Sequence, residues 1–132
     1  MSKIIIDGGR RFKDYVLLCE TMDRYLLEIT QVVSGLAKGA DTLGIKWANQ
    51  HDLPVADFPA DWYRYGQAAG RRRNIEMADY ADQLVAFWDG RSNGTGHMIR
   101  VMKSRNKPVQ VVSYEDKEKD DDNRPKRQYT GL

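Results

Sequence analysis

Three short stretches of this chain carry the residue types that hold phosphate. The first is Asp7-Gly8-Gly9-Arg10-Arg11-Phe12. The second is Ser34-Gly35-Leu36-Ala37-Lys38-Gly39-Ala40-Asp41. The third is Asp89-Gly90-Arg91-Ser92-Asn93-Gly94-Thr95-Gly96. Glycine lets a ligand approach the main chain closely. Unpaired N–H groups at a helix start, with the helix dipole behind them, attract anions. Ser34, Ser92 and Thr95 add hydroxyl donors. Arg10 and one or more of Arg71, Arg72 and Arg73 add guanidinium groups suited to bidentate phosphate contacts. The pattern is neither the dinucleotide fingerprint G-x-G-x-x-G nor the P-loop G-x-x-x-x-G-K-[ST]. Plainer readings stand beside these. Gly8-Gly9 also suits a tight turn, Asp41 also suits a helix cap, and the three arginines also suit a solvated helix face. Trp62, Tyr63 and Tyr65, in a loop-like stretch, suit base stacking and interface packing equally. His51 and His97 read as surface residues without metal partners, so no metal site and no cofactor are expected. Trp47 and Cys19 read as core residues, the cysteine as a small apolar side chain and not a nucleophile.

Those loops need elements to position them. Residues 3–6, 31–33, 53–58, 83–88 and 108–113 read as short buried strands, continuous in apolar and β-branched character, the third being weaker and set between prolines. Helical spacing joins them. Residues 14–29 align Tyr15, Leu18, Cys19, Met22, Leu26 and Ile29. Residues 40–51 align Leu43, Trp47 and Ala48. Residues 68–81 align Ile75, Ala78 and Ala81, and residues 96–105 align Met98, Val101 and Met102. The alternation predicts an α/β fold, a Rossmann-like three-layer sandwich with a mostly parallel five-stranded sheet and right-handed crossovers. In such a sheet ligands bind beyond the carboxyl ends of the strands, where strand order reverses. Each of the three loops follows a strand, so all three should meet at one edge.

Length and composition fit this plan. One domain is expected from 132 residues. The chain is 41% hydrophobic and 30% charged, the balance of an ordinary globular protein. One cysteine excludes an intramolecular disulfide and suits a reducing compartment. No leader peptide and no run of about 20 apolar residues is visible, so a cytoplasmic protein without membrane partners is expected. The net charge of +2 does not by itself argue for nucleic acid. From Glu115 onward there are six acidic and five basic side chains. The expected organisation is a ligand-binding domain over residues 1–113 and a polar charged tail over 114–132, flexible or touching a partner.

The segments GGRRFKDY, SGLAKGAD and RRRNIEMADYADQLVAFWDGRSNGTGHMI together resemble the YspA-like branch of the SLOG superfamily. That superfamily also holds the Lonely guy phosphoribohydrolases, the DNA-processing protein A family and sensor domains of bacterial defence effectors. The resemblance spans about residues 1–113. It implies a Rossmann-like sheet, a pocket for nucleotide-derived ligands and frequent homodimers. Carried over residue by residue, the ligand loops would use Gly9 and Arg10, then Ser34, Gly35, Gly39 and Asp41. Arg73 and Asn74 would follow at the head of a helix. Asp89, Gly90, Ser92, Gly94 and Thr95 would hold phosphate. One departure stands out. The phosphoribohydrolases carry P-G-G-x-G-T-x-x-E, and their glutamate position is Met98 here. A thioether cannot exchange a proton or stabilise a developing oxocarbenium charge. Their Arg-Lys pair is Arg73-Asn74. The expectation is a protein that senses or sequesters a nucleotide-derived signal, such as an ADP-ribose or cyclic-nucleotide species. The alternative is N-glycosidic cleavage with an acid drawn from Asp7, Asp41, Glu76 or Asp89. Single-stranded DNA binding is less favoured.

Overall fold

Ile4, Ile5 and Ile6 sit almost wholly out of solvent in the first strand, and their alternation divides the molecule into two halves. The computed structural model describes residues 1–116; of the tail expected over 114–132, residues 117–132 lie outside the described residues. Five strands form one all-parallel sheet: β1 (Ser2–Gly8), β2 (Ile29–Ser34), β3 (Val55–Asp57), β4 (Gln83–Trp88) and β5 (Val109–Ser113). The spatial order is β3-β2-β1-β4-β5. Side chains of a strand point alternately to opposite faces. Ile4, Ile6, Val32, Val85 and Phe87 therefore enter one core, with Leu18, Met22 and Trp47. Ile5, Val33, Leu84 and Ala86 enter the other, with Met77, Met98 and Met102.

Five helices connect the strands: α1 (Tyr15–Asp23), α2 (Ala40–Gln50), α3 (Trp62–Tyr65), α4 (Ala69–Tyr80) and α5 (Asn93–Ser104). Helices α1 and α2 supply the first core, and α4 and α5 the second. The chain thus winds outward from β1 on one face, returns across β3, and winds outward from β4 on the other. Strand order reverses beside β1 and β4, and their carboxyl ends open a crevice there.

Several expected boundaries differ. The helix over 14–29 ends at Asp23, and Ile29 begins β2. Residues 25–28 turn tightly, with Glu28 N–H donating to the Tyr25 carbonyl at 2.8 Å and Ser2 N–H to the Glu28 carbonyl at 2.7 Å. Leu26 still packs on the core, so the apolar spacing runs on although the helix has stopped. In α4 the buried face is Asn74, Met77 and Ala78, while Ile75 is 39% exposed. A buried polar residue shifts the face by one position, which apolar periodicity cannot register. Helix α5 starts at Asn93, three residues before expectation. The weak third strand shrinks to Val55–Asp57, and the aromatic stretch forms α3, capped by the Asp61 carboxylate accepting from Arg64 N–H at 3.0 Å.

Candidate functional site

The three loops do meet. A cavity of about 610 Å³ lies over the carboxyl ends of β1 and β4. Of the residues singled out in sequence, Gly9, Arg10, Arg73, Asn74, Asp89, Ser92, Gly94 and Thr95 line it. The others have different places. Ser34 is buried, and its Oγ accepts from Leu36 N–H at 3.1 Å, shaping the second loop. Asp41 is buried at the head of α2. Gly35 and Gly39 line neighbouring clefts. Gly90 makes the turn after β4 with φ +82°. Met98 is wholly buried in the second core and does not face the cavity. Glu76 is exposed on α4 and does not line it either.

Arg73 is held from two sides. Its Nη1–H donates to the Gly35 carbonyl at 2.5 Å and its Nε–H to Asn74 Oδ1 at 3.1 Å. A Cβ on Gly35 would stand 2.7 Å from that Nη1, so any side chain there would force the guanidinium to shift. Asn74 then spends its amide on the protein. Its Nδ2 donates to the Gly94 carbonyl at 3.2 Å and faces His97 Nδ1 at 3.1 Å. An amide nitrogen only donates, so His97 Nδ1 must accept, and the ring is the neutral Nε2–H tautomer. Burial, then Arg71 and Arg100, lower the His97 pKa and keep the ring neutral. His97 is thus a partly buried member of the network and not the plain surface residue expected. The chain Gly35–Arg73–Asn74–Gly94 ties the second loop to the start of α5.

The third loop handles its backbone in two parts. Asp89 Oδ1 accepts from Arg91 N–H and Ser92 N–H, each at 2.8 Å. This turns the chain into α5 and leaves the anion-attracting role to the following residues. Within α5 the first backbone donor satisfied in the helix is Gly96, to the Ser92 carbonyl at 3.0 Å. The N–H groups of Asn93, Gly94 and Thr95 belong to the first helical turn, which has no intrahelical acceptors. All three residues line the cavity, with the α5 dipole behind them.

Two carboxyl groups lie beneath. Burial raises the Asp41 pKa well above its usual 3.8, and the neighbouring Asp7 raises it further. Burial also raises Asp7, opposed by its hydrogen bond with Asp41 and by Arg73. Two adjacent buried carboxylates cannot both ionise cheaply, so one proton is shared. Asp41 holds it. Its Oδ2 accepts from Ala37 N–H at 3.3 Å, and its Oδ1 is buried with no hydrogen-bond partner among the described residues.

Sequence reasoning missed Tyr114 and Asp116, which were assigned to the tail. Both line the cavity. Tyr114 N–H donates to the Trp88 carbonyl at 3.2 Å, and its ring stands edge-on to Phe12, with centroids 4.9 Å apart. Its hydroxyl rests against Gly9, where a Cβ would collide with it. That oxygen is buried without a hydrogen-bond partner among the described residues, and burial, then Asp89 and Asp116, push its pKa up to about 12. Asp116 lies 4.0 Å from Arg11, closing the segment over the first loop. The signal was available: residue 114 follows β5, whose carboxyl end lies at the same edge.

Among the described residues no cluster of three His, Cys, Asp or Glu side chains is placed to hold a metal, and no helix is long and apolar enough to cross a membrane. An all-parallel sheet with helices on both faces and a polar cleft at its switch point defines a Rossmann-like α/β domain. The family model of the YspA, cpYpsA-related SLOG family (YAcAr) matches residues 2–65. The gene 61 protein of Mycobacterium phage D29 is 34% identical over 126 residues, covering 89% of this chain and 99% of that protein. The chain belongs to this SLOG family. In fold it is similar to DNA processing protein A (DprA) from Streptococcus pneumoniae, with a TM-score of 0.70 at 17% identity. That match covers 86% of this chain and 51% of DprA, so the chain spans about half the length of that protein.

Proposed function

We propose that this protein binds a nucleotide or nucleotide-derived signalling ligand, an ADP-ribose or cyclic-nucleotide species, and holds it without cutting it. One observation carries the reading: the first turn of α5 and the twice-anchored Arg73 line a single cavity at the switch point. Helix N–H groups and a fixed guanidinium suit a phosphate. Asp7 and Asp89 in the same cavity suit ribose hydroxyls, which donate to carboxylates. A ligand bearing both groups matches both sets. Met98, buried in the core, leaves the position of the hydrolase glutamate without an acid.

Isothermal titration with ADP-ribose, cyclic dinucleotides and nucleoside monophosphates tests this. At a ligand concentration 100 times its dissociation constant the protein should gain about 2.7 kcal/mol of stability. Arg73→Ala should abolish the gain. Chromatography of the same samples should show no free base. No binding by any of these compounds would refute the reading.

A second reading has its own support. Trp62 is 53% exposed and Tyr63 fully exposed, beside the exposed Arg71 and Arg72, and the similar fold is that of a protein named for DNA processing. Stacking aromatics among arginines suit single-stranded DNA. Such binding should weaken steeply between about 50 and 200 mM salt.

A further inference from the structure

The aromatic stretch at residues 62–65 presents three rings, and the structure treats them differently. Tyr65 lies beneath Arg72, whose guanidinium carbon is 3.9 Å from the ring centroid. Tyr63 is fully exposed and lines no cleft described above. Trp62 alone lines a second cleft, of about 440 Å³, together with Leu36, Lys38 and Pro59. Arg10, Ala37 and Arg73 line both this cleft and the phosphate-type cavity, so the two adjoin at Arg73.

Trp62 and Arg73 both lie near Gly70: a Cβ there would make ordinary van der Waals contact with each, 3.5 Å from the Trp62 ring and 3.9 Å from Arg73 Nη2. On the other wall Leu36 adopts φ +64°. A bulky residue rarely takes this left-handed conformation, and such strain concentrates at ligand clamps. It leaves the Leu36 side chain 42% exposed at the cleft. An exposed indole, a leucine and flanking cations form an apolar slot in a cationic frame, joined to an anion site.

We propose that this cleft is a nucleobase subsite: the base of a small nucleotide stacks on Trp62 while its phosphate lies at the start of α5. The inference rests on the phosphate-site reading above and adds where the base goes. Arg73 stands at the junction of the two halves, and the base is read by stacking on an aromatic face, which is tolerant of base identity. Tyr63 and Tyr65 take no part.

The test separates the two readings. Binding of AMP, GMP, CMP, UMP and ADP-ribose is compared with that of ribose 5-phosphate and pyrophosphate, by titration calorimetry and tryptophan fluorescence. At least one base-bearing compound should bind about five- to hundredfold more tightly than ribose 5-phosphate and quench emission. Trp62→Ala should erase that advantage and leave ribose 5-phosphate binding unchanged; Trp62→Phe should retain most of it. Trp62 is exposed on a short helix, so neither substitution threatens the core. Equal binding of ribose 5-phosphate and every base-bearing compound would overturn the base subsite and leave the phosphate site standing. An advantage that survives Trp62→Ala would do the same. Failure of all seven compounds would overturn the phosphate reading and this inference with it. Tighter quenching by a single-stranded oligonucleotide than by any small compound would overturn the assignment to a small nucleotide.

Discussion

Burial and the neighbouring Asp7 both raise the Asp41 pKa and disfavour a second negative charge beneath the cavity. Above the ordinary aspartate value of 3.8 the native state therefore retains a proton that the unfolded chain has lost. Stability linked to this pair is fully present below that value and is lost as pH rises through the folded pKa. Asp41→Asn copies the protonated form: its oxygen accepts from Ala37 N–H and its amide donates to Asp7. It should stay within about 1 kcal/mol of the parent and flatten the pH dependence. Asp41→Ala strands Asp7 and the Ala37 N–H and should cost about 1–3 kcal/mol. Urea unfolding between about pH 4 and pH 8 distinguishes the two. Tyr114→Phe removes a buried hydroxyl that has no partner among the described residues. It should raise stability by about 1 kcal/mol yet weaken nucleotide binding about three- to tenfold, because the ligand would supply the missing acceptor. Thermal melts and titration calorimetry on the same variant read both effects. Of these residues Asp41 was visible in sequence as a cap or a ligand contact. Its partnership with Asp7 was not, because 34 positions separate them and only strand pairing brings the loops together.

Helix α4 shows how an element is placed by groups outside it. Its carboxyl end is capped by Lys107, whose Nζ donates to the carbonyls of Ala78 at 2.6 Å, Asp79 at 3.3 Å and Ala81 at 2.7 Å. A cation there satisfies orphan carbonyls and opposes the negative helix end. Lys107→Met keeps the aliphatic stem and should cost about 1.5–3 kcal/mol by urea unfolding. Its amino end carries Arg73 and Asn74, so loosening α4 should also weaken binding at the cavity. The existence of α4 followed from its flanking strands and spacing. Its buried face did not, because Asn74 is buried by hydrogen bonds to Arg73, Gly94 and His97 and not by apolarity. The early start of α5 was obscured for a related reason. Gly94 and Gly96 are poor helix formers, and the Asp89 turn, with the packing of Thr95 and Met98, outweighs that preference.

The two cores share one sheet, so neither can be lost alone. Ile5 is wholly buried on the side of α4 and α5, between Ile4 and Ile6 on the other side. Ile5→Ala should cost about 2–5 kcal/mol. Near-ultraviolet and far-ultraviolet circular dichroism should report one coincident transition for this variant, because both cores hang on the same strand. The cleft is a consequence of the same architecture. Winding outward in both directions from β1 and β4 parts the loops at their carboxyl ends, and the cavity opens where they separate.

That three glycine-rich loops follow buried strands and meet at one edge was legible in sequence alone, because glycine, arginine and hydroxyl residues cluster just after each apolar run. The parallel α/β plan was determined in the same way, by local periodicity. Tertiary structure decided how the loops divide their labour. Arg73, Asn74 and the first turn of α5 face the cavity, while Ser34 and Asp41 shape and support it from beneath. It also brought Tyr114 from beyond the last strand onto Gly9, and set Trp62 apart from its two neighbouring tyrosines. These are contacts between residues far apart in the chain. They depend on which strands pair and which faces are buried, and no local pattern encodes them.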